Sequence, residues 1–101
     1  MKSRLELQTM LETLLGSRNV YFQPPESIKL QYPAIVYTIE RIGKVHASNA
    51  MFKRNNVYQI TYIDKDPDSE NVDKLLQLQY CEFDRQFTSD NLNHYIFTLY
   101  Y

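Results

Sequence analysis

Apolar residues recur at helical spacing through residues 3–15: Leu7, Leu11, Leu14 and Leu15, with Met10 beside them. Such spacing lays one apolar stripe along a helix. Glu6, Gln8, Thr9, Glu12 and Thr13 cover its remaining surface. Ser3 with Glu6 three residues on makes a capping-box start, and Gly16 makes a natural stop. Val20-Tyr21-Phe22 then reads as a short strand, ended by Pro24-Pro25, which removes two backbone donors. Residues 26–32 read as irregular. From Ala34 to Ile39 the chain is β-branched and aromatic on both faces, the pattern of a central strand.

The period changes again after a long connection over 43–52. In Lys53–Asp64, Tyr58, Ile60 and Tyr62 fall on one face, and Val57, Gln59, Thr61 and Ile63 on the other. Asp66-Pro67 predicts a helix start, with Asp66 as N-cap and Pro67 at the first helical position. Val72, Leu75, Leu76 and Leu78 would supply its core-facing stripe. Residues 81–87 alternate, with Cys81, Phe83, Arg85 and Phe87 against Glu82, Asp84 and Gln86. Thr88-Ser89-Asp90-Asn91 is turn chemistry, and His94–Tyr101 is a last strand with Tyr95, Phe97, Leu99 and Tyr101 on one face. The predicted order is α-β-β-β-α-β-β. Two helices on one face of a mostly antiparallel sheet would bury these stripes, which is an α+β fold.

Length makes this a single domain over residues 1–101, with a core but little surplus stability. The hydrophobic share of 44% argues against disorder. Nine Tyr and five Phe with no Trp suit surfaces that are wet alone and dry when docked, although Tyr is also a good strand former. The net charge of −1 supplies no bulk attraction to nucleic acid or anionic membrane. The charge is uneven along the chain. Residues 1–50 carry six Lys/Arg against four Asp/Glu, and residues 51–101 carry five against eight. The lone Cys81 excludes an internal disulfide and fits synthesis in a reducing cytoplasm. No apolar run approaches the roughly 20 residues that cross a bilayer. Met1-Lys2-Ser3-Arg4 leads into an amphipathic stretch, unlike a secretion signal.

Each candidate chemistry meets a simpler account. Asp64, Asp66 and Asp68 alternate as in a calcium loop, but Ser69 stands where that loop needs Gly and Leu75 where it needs Glu. His46 and His94 have no ligand at metal spacing. A Cys81–His94 nucleophilic pair across the C-terminal hairpin has no local signature. Glu82 and Asp84 read as solvated outer-face charges, and two glycines do not make a phosphate loop. Catalytic residues, a metal and a cofactor are therefore not expected. Arg41, Lys44, His46, Lys53 and Arg54 flank the long connection and make a small basic cluster near aromatics. That faintly matches a single-strand nucleic-acid surface on a domain that is not basic.

Three stretches carry a family resemblance. They are Asn19–Pro25 running on to Tyr32–Tyr37; Tyr58–Ser69; and Cys81–Arg85 with Asp90–Tyr95, ending in Phe97–Tyr101. With these the chain resembles small proteins encoded in the tail-assembly region of long-tailed bacteriophages and prophages, the tail terminator or tail completion proteins. The resemblance implies an α+β fold and a six-membered ring that caps the finished tail tube and faces the head connector. The partners it implies are further copies of the chain, the tail-tube protein and head–tail connector proteins, with no membrane and with nucleic acid at most passing through the ring lumen. The implied location is the head–tail joint of the virion, after synthesis in the bacterial host cytoplasm.

Three regions are expected to make contacts. The first is the long connection 43–53 with its flanks: Arg41, Lys44, His46, Met51, Phe52, Lys53 and Arg54. The second is the edge of the C-terminal hairpin, with Tyr100 and Tyr101. The third is segment 21–32, where Tyr21, Phe22 and Tyr32 surround the prolines. Two other roles remain in view, a head-completion (stopper) subunit on the connector and a small nucleic-acid-binding module.

Overall fold

The computed structural model describes residues 4–44, 54–78 and 80–100. Its elements are α1 (Arg4–Leu15), β1 (Val20–Phe22), β2 (Ala34–Lys44), β3 (Arg54–Asp64), α2 (Glu70–Leu76), β4 (Cys81–Ser89) and β5 (Leu92–Tyr100). The expected α-β-β-β-α-β-β order is present, as a five-stranded sheet ordered β1-β2-β3-β5-β4. Among the described residues only β1 and β2 run parallel; every other pair is antiparallel. Chain order and sheet order part company at the end. β5 inserts between β3 and β4, so β4 becomes an edge and β5 an interior strand.

Both helices pack on one sheet face, because that face carries the large apolar side chains. Register puts Ile35, Tyr37 and Ile39 of β2, Tyr58, Ile60 and Tyr62 of β3, and Tyr95, Phe97 and Leu99 of β5 on the same side. Leu7, Leu11 and Leu15 of α1 and Leu75 of α2 close over them in one cluster. Polar groups are tied where they enter this layer. The Tyr37 hydroxyl donates to Gln8 Oε1, and Gln8 Nε2 donates to the Val20 carbonyl at 3.0 Å. A buried hydroxyl left without such a partner would cost about 1–3 kcal/mol.

The opposite face is crossed by the β1–β2 connection. Two adjacent parallel strands cannot be joined by a hairpin, so the chain must pass over a face. The helices occupy one face, and residues 24–30 lie across the other, against Val36, Thr61 and Ile63. The Tyr21 hydroxyl anchors this strap by accepting the Gln31 N–H at 3.3 Å. Tyr32–Pro33 is a cis peptide.

Three local expectations are corrected. Asp66 does not cap α2. The Asp64 and Asp66 carboxylates accept from Asp66 N at 3.0 Å and Asp68 N at 2.9 Å, which are turns, and Ser69 is the N-cap, accepting from Asn71 N. With the start moved on, α2 has seven residues and one buried position, Leu75; Leu76, expected in the stripe, is 47% exposed. Second, the even alternation of 81–87 is broken by a bulge between Phe83 and Arg85. The extra residue, Asp84, puts Phe83 with Phe97 on the helix face, while Arg85 and Phe87 lie with Ile96 and His94 on the other. Third, the C-terminal hairpin turns on Asp90 and Asn91 alone, at φ 53° and 63°. Two positive φ values make the primed turn that suits a two-residue hairpin. β4 therefore runs on to Ser89 and β5 starts at Leu92.

Candidate functional site

Geometry dismantles the nucleophilic pair first. Cys81 faces Leu99 on the helix side, whereas His94 faces Phe87 on the other side. Leu99 lies five positions along β5 from His94, roughly 17 Å at ordinary strand rise. The His94 ring stacks on Phe87, centroids 4.6 Å apart at 9°. Burial pushes the Cys81 thiol up from its ordinary value of 9.0 to about 11, with neighbouring Glu82 adding to the shift. The thiolate is the reactive form. At pH 8 Cys81 should therefore alkylate with iodoacetamide about 100-fold more slowly than an unperturbed thiol. Mass spectrometry of the adduct over time measures this; a rate equal to that of a free thiol would contradict the burial.

The acidic run is equally committed. Asp64 takes a hydrogen bond from Tyr62 and, with Asp66, accepts the backbone N–H groups of the turns already described. Among the described residues, no group of three or more His, Cys, Asp or Glu converges as a metal site.

What the fold presents instead is backbone. The sheet has two edges of unlike character. On the β1 side only three residues are paired, Gln23 then turns away at φ 43°, and Pro24-Pro25 follows. The Gln23 side chain also caps the next stretch, accepting Ile39 N–H through Oε1 at 3.1 Å. On the β4 side no described strand lies beyond the nine residues; the Cys81 N–H is taken by the Leu78 carbonyl at 3.3 Å, and all but Cys81 are exposed. Phe83 is 48% exposed on one face and Phe87 42% on the other. Leu76 at the end of α2 and Tyr80 just ahead of β4 add exposed apolar surface nearby. An open edge of this length is a template for another strand. Its bulge and its charges Glu82, Asp84 and Arg85 guard against indiscriminate pairing. Arg85 and Asp84 form an exposed ion pair at 3.4 Å, a contact worth little in water.

A second projecting feature is the β2–β3 hairpin. β1 stops pairing at Tyr37 and β5 stops at Val57. Beyond them the rungs Ile42↔Asn56, Gly43↔Asn55 and Lys44↔Arg54 have no flanking strand among the described residues. They form a two-stranded arm leaving the body, its base marked by the register shift between Ile39 and Arg41.

The expected contact residues distribute unevenly over these features. Arg41, Lys44 and Arg54 occupy backbone positions on the arm. His46, Met51, Phe52, Lys53 and Tyr101 lie outside the described residues. Tyr100 sits on interior strand β5 and is 37% exposed. Phe22 is taken up by the fold: its ring lies 5.0 Å from Tyr37, and the Arg4 guanidinium sits 4.5 Å from its centroid. Tyr21 serves as the anchor of the strap, and Tyr32 is 39% exposed. Phe83 and Phe87 were not anticipated as surface residues. Their signal was the interleaving of aromatics with acids on one strand.

Under the strap lies an open groove of about 300 Å³, bounded by Pro24, Pro25, Ile28 and Leu30 on one side and Val36 and Ile63 on the other. Its lining is mainly apolar and brings together no group of titratable side chains. No protein-family model matches the chain, and no curated protein matches it either.

Proposed function

We propose that the chain is a structural subunit of a bacteriophage tail, a terminator or completion protein that closes into a ring on the tail tube and faces the head connector. It works by attachment to its own copies and to the tube. The observation that carries this reading is the exposed nine-residue edge strand β4, which leaves a row of backbone groups and two aromatic side chains for another subunit. The resemblance in the three stretches named above supplies the assembly context. A ring needs a surface that meets a different surface on its neighbour and closes, and two unlike edges meet that requirement.

Native mass spectrometry of the purified chain, alone and mixed with tail-tube subunits, is the direct test. A closed ring of one size that binds the tube is expected. Strict monomers with no tube binding would remove the proposal. Deleting the gene separates the two stations at the joint: loss of a terminator gives overlong tails, whereas loss of a stopper gives heads that leak DNA.

A further inference from the structure

We infer that copies associate head to tail, with the β2–β3 arm of one copy laid against the open β4 edge of the next. The inference rests on the proposal that copies close into a ring, and it names the surfaces that meet.

Several observations converge on this pairing. Among the described residues the arm and the β4 edge both carry backbone hydrogen-bonding groups without a neighbouring strand, whereas the third place where a strand might add, beside β1, is three residues long and has its Val20 carbonyl already taken by Gln8 Nε2. The arm can leave its own body, because it extends past the last residues paired to β1 and β5. The rungs of that extension span about 10 Å at ordinary strand rise. Strand addition to an exposed edge is a general mode of recognition, in which main-chain bonds give affinity and side chains give selectivity.

Charge supplies that selectivity. The arm carries Arg41, Lys44 and Arg54, with Glu40 at its base; the edge carries Glu82 and Asp84 against Arg85, with Asp90 at the turn. Arm against arm would therefore oppose like charges, and arm against edge pairs opposite ones. The same acids that guard β4 against stray strands admit a basic one. Phe83 and Phe87, standing on the two faces of β4, would lose exposed apolar surface when a strand lies beside it.

Charge reversal tests the pairing through mixing. One variant reverses the edge (Glu82→Lys with Asp84→Lys). The other reverses the arm (Arg41→Glu, Lys44→Glu and Arg54→Glu). Each should associate at least about tenfold more weakly than the parent chain at low salt, with the difference fading as salt screens it. Mixed one to one, they should recover an alternating ring of the parental size, since each supplies what the other lacks. Joining all five changes in one chain should also recover it. Thermal melts establish that each variant is folded, and the milder pair Glu82→Gln with Asp84→Asn should give a graded loss.

The outcomes separate cleanly by analytical ultracentrifugation. An arm-reversed chain that assembles as tightly as the parent at low salt, through β4 against β4 or any other contact, overturns the arm-to-edge pairing and leaves the ring standing. Failure of the mixture to recover assembly overturns it as well. A parent chain that never associates removes the ring reading and this inference together.

Discussion

Phe97→Ala should destabilise the domain by about 3–5 kcal/mol, the cost typical of emptying a large aromatic site in a packed core. Phe97 is fully buried on interior strand β5 and faces Ile60 of β3 on one side and Phe83 of β4 on the other. Its ring meets Phe83 edge-on at 5.6 Å. The site cannot collapse easily, because strands on both sides fix the backbone at sheet spacing. Against a total stability of about 5–15 kcal/mol for a domain of ordinary size, the loss is large. Chemical denaturation of the purified variant measures it. The partner change Phe83→Ala, at a half-exposed edge site, should cost much less. Equal losses at the two positions would mean that the β4 edge is covered in the isolated chain.

The second large effect concerns Tyr62. Its ring is fully buried and stacks against Tyr95 at 6.2 Å. Its hydroxyl donates to the Asp64 carboxylate, accepts from Asn71 Nδ2 at 3.0 Å and lies 2.7 Å from Ser69 Oγ. One hydroxyl thus joins the end of β3 to the cap of α2. Tyr62→Phe keeps the ring and strips this junction, so a loss of about 1–3 kcal/mol is expected from partners left unsatisfied. Tyr62→Ala also removes the ring and should lose at least as much as Phe97→Ala.

The same hydroxyl gives an alkaline signature. Burial, with the Asp64 carboxylate beside it, pushes the Tyr62 phenol up from 10.0 to about 12. The folded chain then holds a proton that the unfolded chain releases earlier, so stability falls as pH rises between those two values. Its contribution is complete below pH 10 and gone above about 12. Denaturation melts across that window should decline more steeply in the parent chain than in Tyr62→Phe. Parallel declines would show that Tyr62 is not the group responsible.

Much of this fold was legible in the chain because its stripes are strong. Leu7 and Leu11 mark the buried face of α1, and Tyr58, Ile60 and Tyr62 mark the helix-facing side of β3, as their spacing predicts. What escaped was non-local or one residue wide. Strand order depends on which segments meet across the whole chain, so nothing local to residues 81–89 announces that they form an edge. The bulge at Asp84 falls within the polar run Asp84-Arg85-Gln86, which reads equally well as a plain outer-face stretch, and a single inserted residue sends Phe87 to the face opposite Phe83. Asp66-Pro67 is as good a turn as it is a helix start, and the competing Asx bonds decided for the turn. The contact surface was half legible for the same reason. The arm follows from strong strands flanking a long connection, whereas the open edge needs the topology.

The insertion of β5 between β3 and β4 also governs how the molecule can be made. As the chain emerges from the ribosome, β1, β2 and β3 can align early, but β4 has no partner until Leu92–Tyr100 has followed it out. Until then β3 lacks its neighbour on one side, and the apolar cluster beneath the helices lacks Phe97 and Leu99. Completion of the sheet therefore waits on the arrival of one nine-residue segment, Leu92–Tyr100.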